Sequence, residues 1–401
     1  MAAFSGIRVL DLAWVVAGPV VGRVLADYGA EVIRLESRKR IDTARVVGPF
    51  PKGVTSNQNS ALFHNCNAGK LGLSLDFSHN DAQQIILDLV AESDVLVESF
   101  SPGQMEKWGL TYERLRAVNP KLIMVSTSLM GQEGPYKSMA GFGSTGSAMA
   151  GFQSLSGEDK DHPVGPYGPY TDYLAPRIIL TSLFSAFENL RHTGEGCYLD
   201  IAQSDAGLIF QAPEIAHFGL TGEEPGLSGN RSESMAPHGV FRCRDGVWIA
   251  IAIRDDRDWR SLLGLLPAEV SETLASFSNL RARKENETFI EEHMGRWTAG
   301  FDGLGLQDQM QGRGIPAHVL NSFQSFATDE QIVHLQHLVG LKTLDGSSMA
   351  IEGSRYFLSE SKPSATRAAP NVGQDNHEVL TKLLGYSQDK VDALNASGVL
   401  T

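Results

Sequence analysis

One carboxylate stands apart where the chain reads Gly165-Pro166-Tyr167-Gly168-Pro169-Tyr170-Thr171-Asp172-Tyr173, because Asp172 follows a stiff run of small residues and precedes the apolar stretch Ile178 to Phe187. That order sets it at a helix mouth, where backbone N–H groups stabilise negative charge and glycine leaves the oxygens uncovered. Two roles fit. Asp is a preferred helix cap, and caps far outnumber catalytic carboxylates; the same position also suits a carboxylate kept ionised for reaction. Three other stretches favour the second role. Val16-Ala17-Gly18-Pro19 is a tight strand-to-helix turn that offers N–H groups to an anion. Asn67-Ala68-Gly69-Lys70 puts a cation just before the strand Leu71 to Asp76, and Val97-Glu98-Ser99-Phe100-Ser101-Pro102-Gly103 ends a strand in a loop and a helix start. Strand-end loops of an open α/β sheet converge on its ligand crevice. Together they describe a site for a phosphate-bearing ligand with an aromatic wall.

Other motifs point elsewhere or nowhere. Gly141-Phe142-Gly143-Ser144-Thr145-Gly146 spells GxGxxG, yet Gly131, Gly134 and Pro135 fill a long loop between it and the preceding strand, so the dinucleotide context is missing. A glycine-rich helix entry packed against a ligand is the better expectation. There is no GxSxG elbow and no GxxxxGK[ST] loop. His334 and His337 could share a helix face, but no third ligand stands at metal-binding spacing. Phe63, His64, Phe184, Phe187 and Phe210 read as core or pocket walls.

The elements that must position these groups alternate. Ile7 to Leu12, Glu31 to Leu35, Asp94 to Glu98, Leu122 to Ser126 and Tyr198 to Ala202 have strand patterns. Between them, Pro19 to Tyr28, Asp81 to Glu92, Thr111 to Val118 and a long stretch from about Ala175 to His192 have helical ones, with a further helix over Ser204 to Phe218. Such interleaving predicts a mainly parallel sheet covered on both faces, a doubly wound α/β domain. Gly222 to Gly239, rich in Gly, Ser, Pro and Asn, is the best candidate linker; strand Val247 to Ile253 and helix Arg257 to Leu265 follow it, and a last helix is expected around Asn376 to Leu384.

Composition sets the outer bounds. A chain of 401 residues predicts two domains. The formal charge of −13 argues against broad binding to nucleic acid or an anionic membrane surface, leaving room only for a local basic pocket. Cys66, Cys197 and Cys243 are too scattered for a disulfide framework or a CxxC motif and fit buried thiols in a reducing cytoplasm. No signal segment or membrane-length apolar run is expected.

At this point the wording resembles a known family. Gly6-Ile7-Arg8-Val9-Leu10-Asp11-Leu12, Ala17-Gly18-Pro19, Leu25 to Glu36, Asn67 to Asp76, Glu98 to Gly103, Asn119-Pro120-Lys121, the Asp172 segment, Thr193-Gly194-Glu195-Gly196, Pro237 to Phe241, Asp245-Gly246 and Ala369 to Gln374 are together similar to the class III CoA-transferases, the CaiB/BaiF or formyl-CoA transferase type. The resemblance implies a large Rossmann-like domain built from residues 1–222 and 326–401, a smaller inserted α/β domain over 223–325, and two interlocked subunits, identical or homologous. It implies Asp172 as the nucleophile that passes CoA from an acyl-CoA donor such as succinyl-CoA to a free carboxylic acid, with CoA as substrate and no permanently bound cofactor or metal. By matching position, Arg38, Lys70, Lys107 and Lys137 would meet the CoA phosphates, and Val16, Ala17, Ser99 and Phe100 would line the pocket. Formyl-CoA transferases have Gln where Val16 stands and glycines where this chain has Ser232 to Gly239, so a larger, partly apolar acceptor of carnitine, bile-acid or benzylsuccinate kind is expected beside Val16 and Met235. The α-methylacyl-CoA racemase branch would need a histidine where Phe142 stands, and phenyl cannot exchange a proton. A non-catalytic CoA-binding subunit is the remaining alternative, and the intact Asp172 argues for the active role.

Overall fold

Strand β1 (Arg8–Asp11) is followed by further apolar runs of the same kind, which bury both faces only inside a parallel sheet covered on both sides. The computed structural model, which describes residues 2–51, 55–157, 161–344, 346, 348–353, 356–364 and 367–401, has that sheet. β1 pairs in parallel with β2 (Glu31–Glu36) and β4 (Val95–Glu98). β2 carries β3 (Leu71–Ser74) on its outer side, while β4 carries β5 (Ile123–Ser126) and then β6 (Tyr198–Asp200). Among the described residues the result is a six-stranded sheet of order β3-β2-β1-β4-β5-β6. The direction of travel reverses between β1 and β4, the point at which doubly wound folds open a ligand crevice.

Helices α1 (Ala17–Asp27), α2 (Ala61–Asn67), α3 (Asn80–Ala91), α4 (Gln104–Lys107), α5 (Tyr112–Val118), α6 (Gly143–Met149), α7 (Phe152–Leu155), α8 (Tyr170–Thr193), α9 (Gln203–Leu208) and α10 (Ala212–Thr221) accompany the sheet in chain order. Alternate strand residues go to opposite cores. Leu10, Ile33, Leu73, Leu96 and Met124 pack with Ile85, Ile86 and Leu89 of α3. Val9, Val32, Val95, Val97, Ile123 and Val125 pack instead with Val21 and Leu25 of α1 and with Ala175, Ile179 and Leu183 of α8. A one-residue slip of any strand would exchange the two sets, so burial on both faces fixes the register that aims the strand-end loops.

The chain forms two compact units, one of Met1–Gln153, Gly165–Pro225 and Gln331–Thr401, the other of Ser154–Val164 and Gly226–Glu330. Ser154–Val164 is a stretch that sequence alone assigns to the first unit. In the first, the C-terminal segment closes the outer edge of β3: the Gly72 N–H donates to Asp375 Oδ2 (2.7 Å), the Asp375 N–H returns to Gly72 O (2.9 Å), and the Ser74 N–H donates to Asn376 Oδ1 (2.9 Å). A Cβ on Gly72 would stand 2.7 Å from Pro370 Cβ, so only glycine permits this approach. The second unit has an antiparallel sheet of β7 (His238–Arg242), β8 (Trp248–Ala252) and β9 (Ala317–Val319), packed through Phe241, Ile249, Ile251, Trp259, Leu262, Met294 and Trp297. β10 (Leu338–Lys342) and β11 (Ser348–Glu352) pair antiparallel within the first unit.

Local differences from expectation have identifiable causes. Helix α8 begins at Tyr170 rather than near Ala175, and Pro176 lies inside it. The helix expected over Ser204 to Phe218 is interrupted by a tight turn at Ile209–Gln211, and α10 restarts with Pro213 in its first turn, where a missing N–H costs nothing. The C-terminal helix expected around Asn376 to Leu384 is a π-helical turn, Glu378–Leu383, followed by an α-helix over Gln388–Ser397. His334 ends a short helix, Glu330–His334, and His337 lies beyond it near Glu352, so the two do not share a helix face. Phe184 and Phe210 are 40% and 48% exposed rather than core, and α10 has no buried residue, with Ile215, Phe218 and Leu220 open on its surface. Among the described residues no helix is long and apolar enough to cross a membrane.

Candidate active site

The loops that leave the carboxyl ends of β1, β2, β4 and β5 enclose a cavity of 430 Å³. Trp14, Val15, Val16 and Ala17 come from the first, Arg40 and Thr43 from the second, Ser99 to Pro102 from the third and Thr127 to Leu129 from the fourth. Lys137, Met139, Gly141, Phe142, Asp172 and Gln203 complete the wall. Because the convergence of these loops follows from strand order, the sheet itself assembles the site.

Asp172 is only 4% exposed. It sits in the first turn of α8, whose preceding residue, Pro169, makes no side-chain cap. The carboxylate therefore caps nothing as a flanking residue would; it is itself held, by the Gly143 backbone N–H and the Gln203 side chain. Burial raises its pKa to about 6, and those two hydrogen bonds pull only part of the way back. At this helix mouth desolvation outweighs the donors expected to support the charge. The group remains mainly ionised at neutral pH and poorly solvated, which suits a nucleophile.

Gly143 explains the glycine-rich stretch that resembles a dinucleotide motif. A Cβ there would stand 2.5 Å from Pro169 O and 2.6 Å from Asp172 N, and one at Gly146 would stand 2.3 Å from Thr171 Oγ1. Gly143 and Gly146 let α6 lie directly against the start of α8, so these two serve the chain's own packing, while Gly141 lies on the cavity wall. Thr171 Oγ1 donates to Gly143 O (3.0 Å) across the same contact.

The second wall is aromatic and hydroxylic. Phe100 meets Trp14 and Trp108 edge-on, with ring centres 6.0 and 4.9 Å away, and its N–H donates to Glu98 Oε2 at 2.7 Å. Burial pushes the Glu98 carboxyl up to about 7. The Trp14 N–H donates to Ser99 Oγ (2.8 Å), and the Arg40 guanidinium lies 5.4 Å above the Trp14 ring. Thr127 Oγ1, Ser128 Oγ, Gln203 Oε1 and Trp14 Nε1 are buried with no protein partner. Unpartnered buried polar atoms are costly, and their gathering around one cavity marks a place where a polar ligand completes the bonding.

Of the residues singled out in the sequence, Val16, Ala17, Ser99, Phe100, Lys137 and Asp172 share this cavity. Lys70 does not. It is fully buried, and its Nζ donates to Asp11 Oδ2 (2.5 Å), Pro19 O (2.7 Å) and Asn67 Oδ1 (2.8 Å). Burial lowers its pKa to about 8 against the pull of Asp11. With its three N–H groups engaged, it has none left for a phosphate; the assignment of Lys70 to the ligand is corrected to a structural one. Arg38 and Lys107 are exposed and lie outside the cavity wall, Arg38 beside Gly373 and Lys107 at the end of α4. Arg40, two residues from Arg38, is the cation of that loop that reaches the wall. Gly143, Gln203, Thr127 and Ser128 were not singled out as site residues; the run of glycines was the only local signal, and nothing near Gln203 in sequence points to Asp172.

Comparison with known proteins fits this geometry. The sequence pattern of CoA-transferase family III matches residues 4–376. The succinyl-CoA–D-citramalate CoA-transferase of Chloroflexus aurantiacus is 29% identical over 394 residues, covering 98% of this chain and 97% of that protein. The beta subunit of the succinyl-CoA–L-malate CoA-transferase of the same organism is 28% identical over 401 residues, with 99% and 98% covered. A solved CaiB/BaiF family protein from Brucella suis superposes with a TM-score of 0.85 at 27% identity, over 95% of this chain and 99% of that one. This chain therefore belongs to CoA-transferase family III, the CaiB/BaiF family, and is a CoA-transferase acting on acyl-CoA.

Proposed function

We propose that the enzyme moves CoA from succinyl-CoA to a small dicarboxylic acid, with Asp172 as the nucleophile. The observation that carries this reading is the buried Asp172 carboxylate on the cavity wall, hydrogen-bonded by Gly143 and Gln203. An Asp172 oxygen attacks the thioester carbonyl, the C–S bond breaks, and a mixed anhydride forms as CoA thiolate leaves. The thiolate then attacks the aspartyl carbonyl; the C–O bond of the anhydride breaks, the donor acid departs as its carboxylate, and an aspartyl-CoA thioester remains. The acceptor carboxylate attacks that thioester and expels the thiolate, which takes the acyl group from the new anhydride and frees Asp172. Each step exchanges one anion for another, so no net proton transfer is needed. The Gly143 N–H and Gln203 amide, bound to the resting carboxylate, are placed to serve the tetrahedral oxyanions that follow.

The two relatives named above act on succinyl-CoA with D-citramalate or L-malate, which favours a dicarboxylate over the bulky apolar acceptor expected from Val16 and Met235. Arg40 and Lys137 on the cavity wall supply cations for the CoA phosphates or for a substrate's second carboxylate, and Arg38 and Lys107 remain proposed contacts farther out. Phe142 on the wall argues against proton exchange of the racemase kind. A second subunit, identical or homologous, is part of the proposal; the open apolar face of α10 supports it.

The test is a transfer assay with succinyl-CoA against malate, citramalate, glutarate and a set of monocarboxylic acids. Transfer to dicarboxylates, lost by more than about a thousandfold in Asp172→Ala, is the expected result. Acceptance of monocarboxylates alone would remove the substrate assignment, and normal turnover by Asp172→Ala would remove the nucleophile.

A further inference from the structure

Val15, on the cavity wall, has a φ of 66°. Its branched Cβ crowds the backbone there, and such outliers persist only where the surroundings over-determine them. The surroundings do so here. Beyond the end of β1, three successive N–H groups are taken by side chains: Ala13 donates to Asp11 Oδ1 (3.0 Å), Trp14 to Ser99 Oγ (2.8 Å), and Val15 to both oxygens of Asp42 (3.1 and 3.2 Å).

We propose that Asp42 is a positioning residue for acyl-CoA binding, one that holds Val15 in its left-handed conformation and so sets the shape of the cavity wall. Asp42 is fully buried and ion-paired with Arg34, and Arg34 Nη1 in turn donates to Ala13 O (2.8 Å). The pair thus straps the turn on both sides of Trp14, gripping a carbonyl before it and an N–H after it. The same carboxylate accepts the Ala44 N–H (2.9 Å) and fixes the turn that carries Thr43, a second residue of the wall. One buried group therefore ties together segments that come from β1 and β2. Nothing in its position lets it touch the reacting atoms; it acts through Val15 and Thr43.

An Asn at this position would keep one acceptor oxygen, and the Val15 N–H already reaches both oxygens, so it could still hold Val15; an Ala has no acceptor and releases Val15, Ala44 and Arg34 together. The proposal rests on the acyl-CoA reading of the cavity, and binding of CoA to the unaltered protein by calorimetry tests that reading separately. With CoA as the probe, Asp42→Ala is expected to weaken binding at least tenfold. In the Val15→Gly background, where a positive φ is free of strain, the same substitution should cost less than threefold. An equal loss in both backgrounds, or no loss in either, would overturn the proposal, because a carboxylate that only neutralises Arg34 does not care what stands at position 15. Should Asp42→Ala not fold, the comparison of Val15→Gly with Val15→Ala decides: the glycine variant is expected to melt at least about 2 °C higher, and equal melting temperatures would show that the turn holds no strain for Asp42 to maintain.

Discussion

Asp172 keeps its charge against the cost of its own burial. Its folded pKa of about 6 lies above the ordinary 3.8, so the folded chain binds the proton more tightly than the unfolded one. The penalty is fully present above pH 6 and is relieved as pH falls from 6 towards 3.8, a difference of up to about 3 kcal/mol. Asp172→Asn should therefore raise the unfolding free energy by as much as that at pH 7.5, measured by urea denaturation, with the gain vanishing near pH 4, while transfer is lost. An unchanged or lower stability at pH 7.5 would mean the carboxylate is better solvated than its surroundings suggest. For the same reason kcat/KM should fall with the ionised fraction below about pH 6. Much of this site is legible from sequence because Val16, Ala17, Ser99 and Phe100 follow apolar strand patterns directly, and strand ends converge by topology. Lys70 misleads because a lysine's burial depends on partners such as Asp11, fifty-nine residues away.

Among the helices, the contact between α6 and α8 decides how Asp172 is held. The atoms nearest a Cβ at Gly143 are backbone atoms of Pro169 and Asp172, which cannot turn aside. Gly143→Ala should destabilise the fold by about 1–3 kcal/mol and cut transfer at least tenfold by moving its N–H off Asp172. Unfolding and kinetic measurements on the same variant check both, and full activity would show that the Gly143 contact is dispensable. The strands were readable because β-branched runs bounded by turns leave little choice. The start of α8 was not: Pro176 invites a helix beginning beside it, as prolines favour first turns, yet the helix runs through it. Pro176 has no N–H to offer the carbonyl of Asp172 four residues back, a defect that the packing of Leu174, Ala175 and Ile179 overrides.

The molecule as described has unfinished surface. Ile209, Phe210, Ile215, Phe218 and Leu220 stand exposed around α9 and α10, a clustering of large apolar side chains of the kind that marks an interaction site. If a second subunit covers it, light scattering should report a dimer for the purified chain, alone or with a homologous partner, and Phe218→Asp should shift that species towards monomer; a monomer in both cases would remove the subunit proposal. The opposite flank of the sheet is finished by the chain itself. The edge of β3 is sealed through Gly72 and Ser74 by residues about three hundred positions downstream, Asp375 and Asn376, with Leu400 accepting from Ser74. During synthesis the edge strand therefore waits, its N–H and C=O groups unpaired, until about three hundred further residues have been made. A nascent chain in that condition is a template for pairing with its neighbours, so the distant segment that covers β3 acts as a seal against aggregation as well as part of the fold.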